Sequence, residues 1–235
     1  MATRFRLFVV ACAVGLALPQ LVGAAVPNGV ATHLLGVRMI RAEVLVKADG
    51  LRDYRLDRGR VAKPWNASTI TIREGDGTSA PVPISATATV TLNGKPANLT
   101  DVRKGMVVAI SRLGDAPADA VYANRPRLGA PRLPLAYQSL LLGAKLVRAE
   151  IAFKTADGVL HDYRLDHGVV RTTKSRTLTL AEGDGQVAAV PVAADGRIVL
   201  NGRTVLYSAI RRGADATTIR DGASPAHAVY AFRKR

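Results

Sequence analysis

Arg41-Ala42-Glu43-Val44-Leu45-Val46-Lys47, then a turn, then Asp53-Tyr54-Arg55-Leu56-Asp57, is the stretch that decides the fold. It occurs twice, returning as Arg148-Ala149-Glu150-Ile151-Ala152-Phe153-Lys154 and Asp162-Tyr163-Arg164-Leu165-Asp166. Ile40, Ala42, Val44 and Val46 alternate with Arg41, Glu43, Leu45 and Lys47, the period-2 pattern of a half-buried strand. The second copy keeps the parity through Val147, Ala149, Ile151 and Phe153. Its loop, residues 155–161, is two residues longer than the first, residues 48–52. Two is the smallest insertion that leaves every side chain on its own face. Both copies read as β-hairpins, turning near Asp49-Gly50 and Asp157-Gly158.

Beyond the hairpins the halves stay in step. Glu74-Gly75-Asp76-Gly77, Leu92-Asn93-Gly94 and Val121-Tyr122-Ala123 recur 108 residues later, around Glu182, Leu200 and Val229. Such spacing implies an internal duplication of a whole domain, because solenoid repeats run only about 20–50 residues. Nearly every periodic segment is a strand. Pro83 and Pro191 withdraw a ladder donor and imply an edge or a bulge. Asn93-Gly94 signals a tight hairpin, since both positions tolerate positive φ. Thr100 and Gly105 read as the start and stop of one helical turn, with Ser208 and Gly213 in the same places. About seven short strands in roughly 90 residues imply a small antiparallel barrel or sandwich, and closure into a barrel hides the edges.

The fold class expected is therefore all-β, two tandem small antiparallel β-barrels. Residues 34–124 form the first repeat, 125–140 a stiff Pro/Arg-rich linker and 141–235 the second. Residues 1–24 read as a signal peptide: Arg4 and Arg6, an apolar run, then Val22-Gly23-Ala24 as the cleavage pattern. A lipoprotein-type reading at Cys12 is weaker, because the apolar run continues through it. An exported protein follows, secreted, periplasmic or envelope-associated. Cys12 is the only cysteine, so the processed chain would have no disulfide, thiolate nucleophile or cysteine-based zinc site.

The order Gly59-Arg60-Val61, Ser68-Thr69-Ile70-Thr71-Ile72, Asp76-Gly77-Thr78, Val90-Thr91-Leu92-Asn93-Gly94, Val102-Arg103-Lys104-Gly105-Met106-Val107-Val108 and Ala120-Val121-Tyr122-Ala123 carries a resemblance. It resembles the small β-barrel, OB-like domains of unassigned function found, often in tandem, in exported bacterial proteins. The resemblance covers about three quarters of each repeat, leaving out the leading hairpin. It implies fold and export and transfers no functional site.

The formal charge of +15 is spread along the chain and favours anionic partners such as envelope polymers, anionic lipid or nucleic acid. Arg125, Arg127, Arg132, Arg211 and Arg212 are the candidate anion-binding residues. Trp65, Tyr137 and Tyr207 are the candidate stacking platforms for an OB-like nucleic-acid or oligosaccharide ligand. The Glu-Gly-Asp-Gly loops lack the oxygen ligands of a calcium loop and read as hairpin turns. Asp53, Arg55 and Asp57, with Asp162, Arg164 and Asp166, read as a cross-strand charge ladder rather than catalytic carboxylates. His33, His161, His167 and His227 have no histidine counterpart in the other copy. No metal site, cofactor or nucleophile with its base is expected. The leading expectation is a non-catalytic structural or binding module with an anionic envelope or extracellular partner. A carboxylate-dependent hydrolase is the rival from another class.

Overall fold

The computed structural model describes residues 26–233; the signal-peptide reading of residues 1–24 lies outside them. The described residues are mostly β, with fourteen strands in one sheet and two short α-helices. The two repeated hairpins form its centre. Strands β1 (Met39–Ala48) and β2 (Gly50–Lys63) pair antiparallel, as do β8 (Leu146–Lys154) and β9 (Leu160–Thr172). β1 then pairs antiparallel with β8, placing Glu43 opposite Glu150. The inward parity read from sequence holds, since Ala42, Val44, Val46, Ala149, Ile151 and Phe153 are all buried.

Each outer strand of this centre leads into a partial ring. β2 pairs with β3 (Thr69–Glu74), β3 with β4 (Ser79–Leu92), β4 with β7 (Ala118–Asn124), β7 with β6 (Val107–Leu113), and β6 returns to β2. The β4–β7 pairing is parallel and is interrupted between Ile84 and Thr89. Pro81 and Pro83 lie before that join, where β4 pairs only with β3, so neither removes a ladder bond needed on both sides. The second half repeats this order through β10 (Thr177–Glu182), β11 (Val187–Leu200), β14 (Ala226–Phe232) and β13 (Asp215–Asp221), which closes on β9. Asn93 and Gly94 take φ of 54° and 76° in the tight turn into β5 (Lys95–Ala97). The helical turn is a 3-10 segment, Leu99–Asp101, whose start is Asn98 and not Thr100: the Asn98 N–H donates to Asp101 Oδ2 at 2.9 Å.

One apolar core fills each ring. Ile70, Ile72, Val108, Ile110 and Val121 belong to the first; Leu178, Leu180, Ile198, Ile210 and Val229 belong to the second. A third core lies between them, under helices α1 (Asn28–Leu34) and α2 (Leu135–Leu142) on the apolar face of the central hairpins. It draws Leu34, Leu35, Val44 and Leu56 from the first half and Leu141, Leu142, Ile151 and Leu165 from the second. The Val26 N–H donates to Leu142 O at 3.2 Å, tying the start of one half to the helix of the other.

Residues 125–140, expected as an extended connector, therefore contain a helix. Pro134 holds φ at −53°, which suits a helix start as well as it suits a linker. Burial of Leu133, Gln138, Leu141 and Leu142 fixes the helical outcome. The same Pro-led helix precedes β1, with Pro27 also at φ −53°. The repeating layout thus begins about seven residues before the boundaries of 34 and 141 drawn from sequence.

Candidate anion-binding site

The outer face of the central sheet carries the charged residues of the hairpins. Arg55 Nε lies 3.5 Å from Glu43 Oε1, and Arg164 Nε lies 3.5 Å from Glu150 Oε1, so a cross-strand ladder does form. Each facing glutamate thus has its own arginine, which offsets the like-charge contact at the centre. Arg41 and Lys47 leave the ladder. Arg41 reaches the first Glu-Gly-Asp-Gly loop, pairing with Glu74 at 3.0 Å and with Asp76. Arg148 does the same to Glu182 and Asp184. The lysines cross over: Lys154 Nζ donates to Gly75 O at 2.9 Å, and Lys47 Nζ to Gly183 O at 2.6 Å. Each loop is thereby held by an arginine of its own half and a lysine of the other.

These loops are turns, as read from sequence, and each buries a glutamate carboxylate against an arginine. Glu74 and Glu182 side chains are only 1% and 2% exposed. Burial pushes Glu74 up to about 7; Arg41 opposes this, and Asp57 and Asp76 add to it. Burial likewise raises Glu182 to about 7, against Arg148. Gly59 and Gly168 sit opposite these glutamates. A Cβ at either would come within 2.5 Å or 2.3 Å of a carbonyl oxygen on the neighbouring strand, so glycine is required there.

Beside the first loop lies a cleft of about 380 Å³ where the two halves meet. Arg38, Arg60, Arg73 and Lys154 line it, with Val37 and Ile40 as apolar wall. Arg58 closes its floor from a buried position, donating to Pro131 O at 2.9 Å and Leu35 O at 3.2 Å. Burial lowers its guanidinium to about 10, still charged at neutral pH. Two neighbouring clefts, of about 330 and 370 Å³, are both lined by Arg132.

The sequence-derived candidates scatter. Arg125 and Arg127 are exposed beside the 3-10 turn Pro126–Leu128, and Arg132 is exposed between the two lesser clefts. Arg211 and Arg212 lie on the surface of the second half; Arg211 turns back on the carbonyl of Ser208. Tyr137 belongs to the central core, where it bonds with Ser111 and meets Tyr54 edge-on, so it offers no open stacking face. The α2 helix, unseen in the sequence, turned it inward. Trp65 packs against the first ring core, and Tyr207 carries the Arg176 guanidinium 5.1 Å above its ring.

Arg38, Arg60, Arg73 and Lys154 were missed because each reads singly as an ordinary surface charge, the last three on strands and Arg38 in a turn. A comparison of the two copies finds them. Where the first half has Arg58, Arg60 and Arg73, the second has His167, Val169 and Ala181. Among the described residues no group of acidic residues and histidines is placed to hold a metal ion, and no helix is long and apolar enough to cross a membrane. Comparison with family models, curated proteins and solved structures found no match.

Proposed function

We propose that this chain is an exported, non-catalytic binding module that contacts an anionic polymer of the cell envelope or extracellular space. Its rings are then two OB-like barrels derived by internal duplication. Their shared strand order supports this: numbered within a half, neighbours run 1-2-3-5-4 and back to 1, with 3 and 5 parallel. The observation that carries the binding role is the gathering of cations around residues 130–132, where three clefts adjoin and Arg38 and Arg132 each line two of them.

Arg125, Arg127 and Arg132 have no acidic neighbour in their segment and sit between the halves. Two halves gripping one polymer would gain avidity there. The test is elution of the chain lacking residues 1–24 from heparin. Arg125→Ala, Arg127→Ala and Arg132→Ala together should lower the eluting salt concentration, because fewer counterions are released. Melting temperature should hardly move, as exposed charges contribute little to stability. Elution at the wild-type salt removes the linker from the polyanion reading.

A further inference from the structure

Arg60 and Arg73 stand directly opposite each other across β2 and β3. Like charges in that position destabilise a sheet pair. The other facing like charges among the described residues, Glu43 with Glu150, Arg55 with Arg112 and Arg164 with Arg220, each have an opposite charge beside every member. Arg60 and Arg73 have no such relief. Among the described residues Arg60 donates only to a carbonyl, Gly105 O at 2.8 Å. Arg73 and Arg38 have no side-chain hydrogen bond or ion pair among the described residues. Lys154 adds a fourth cation from the other half, bonded to the neutral Gly75 carbonyl. The one carboxylate in the cleft wall, Glu74, is engaged by Arg41.

The second half shows that the scaffold does not need this arrangement. Val169 faces Ala181 at the matching strand pair. Val107, beside Arg60 on β6, is replaced by Asp215 beside Val169 on β13. The same strand pair is thus built twice, once with two uncompensated arginines beside a cleft and once with none.

We infer that the cleft lined by Arg38, Arg60, Arg73 and Lys154 is a binding site for a phosphate-type oxyanion group, and that the second half has no equivalent. Four cations on three separate strands and a loop exceed what one carboxylate neutralises, whereas a phosphate presents oxygens in several directions to planar guanidinium forks. A volume of about 380 Å³ takes the group with a small attached body. The inference deepens the reading of the chain as an anion binder, but it does not depend on the linker arginines.

The test follows melting temperature of the chain in inorganic phosphate against sodium chloride at matched ionic strength. Wild type should show a saturable, phosphate-specific rise. Arg60→Val with Arg73→Ala installs the second half's own residues. This variant should melt at or above the wild-type temperature in chloride, since a repulsion is removed, yet bind phosphate at least about tenfold more weakly. Arg73→Ala alone, at an exposed side chain without a partner, gives a second variant whose folding is not in doubt and should also weaken binding. The triple linker variant should keep the phosphate effect. A polyphosphate chain effective at lower phosphate concentration than the free ion would show that the group arrives on a polymer; equal concentrations would show a free ion. No phosphate-specific rise in wild type, or an unchanged rise in both cleft variants, overturns the site. A wild-type chain that heparin does not retain, with the phosphate effect intact, would instead overturn the polymer reading and leave the site standing.

Discussion

The first and second halves share strand order, hairpin chemistry and a buried loop glutamate, yet differ at many strand positions, those beside the clefts among them. Arg58 in the first half ties β2 to the carbonyls of Leu35 and Pro131. Its counterpart His167 instead bonds Thr217 within its own half, at 2.8 Å, and burial lowers its pKa against the opposing pull of Asp215. One half therefore uses a buried cation to hold the segment that borders the clefts, and the other closes upon itself. On the proposed reading, the differences beside the clefts are where a ligand would be met.

The comparison breaks most visibly when the halves are separated. Residues 133–233 alone would bare the edge of β8 and half of the central core. Since β1 and β8 meet with Glu43 opposite Glu150, a second copy of β8 can take the place of β1, with Glu150 near the dyad. We expect a dimer at tens of micromolar concentration, read by light scattering, because an uncovered edge and apolar face seek a partner. A monomer with a sharp, cooperative melt would show that the central core is dispensable and that each ring folds by itself.

The next effect is on pH. Glu74 and Glu182 are each raised from about 4.5 to about 7 in the folded chain. The folded state therefore holds these two protons more tightly than the unfolded state. Stability from this source is fully present below about pH 4.5 and is lost as pH rises through about 7. Each glutamate corresponds to roughly 3 kcal/mol at most. Denaturant midpoints should fall between pH 5 and pH 8, and Glu74→Gln with Glu182→Gln should flatten that slope. A flat wild-type profile would mean that both carboxylates are fully compensated by their arginines.

A smaller effect sharpens the likeness of the two clusters. Arg148→Ala leaves Glu182 and Asp184 without their cation, and Arg41→Ala does the same to Glu74 and Asp76. Each should cost about 2 kcal/mol at pH 8, less than a fully buried pair because the arginines are partly exposed. Arg148 should matter more, being 33% exposed against 46% for Arg41 and bonded also to Gln186. Equal losses from urea unfolding would remove that distinction between the halves.

Much of the strand layout was legible because alternation is local. Val44 and Ile151 declare their faces through their immediate neighbours, and Asn93-Gly94 declares its turn through two residues. The helices were not legible. α2 is two turns long, with Pro134 before it and arginines upstream, and a linker has the same composition. The linker arginines stood out in the sequence because no acid is near them in the chain, whereas Arg60 and Arg73 stood among ordinary strand charges.

The sequence by itself determined the repeat, the hairpins, the inward and outward faces and the basic balance of the chain, all properties set within a few residues or by composition. Only the tertiary structure decided that β1 pairs with β8, that a third core joins the halves and that each loop is held from both sides. It also decided that four cations from distant stretches line one cleft. Strand parity fixes which way a side chain points, but the partner of an edge depends on which apolar faces can be buried together.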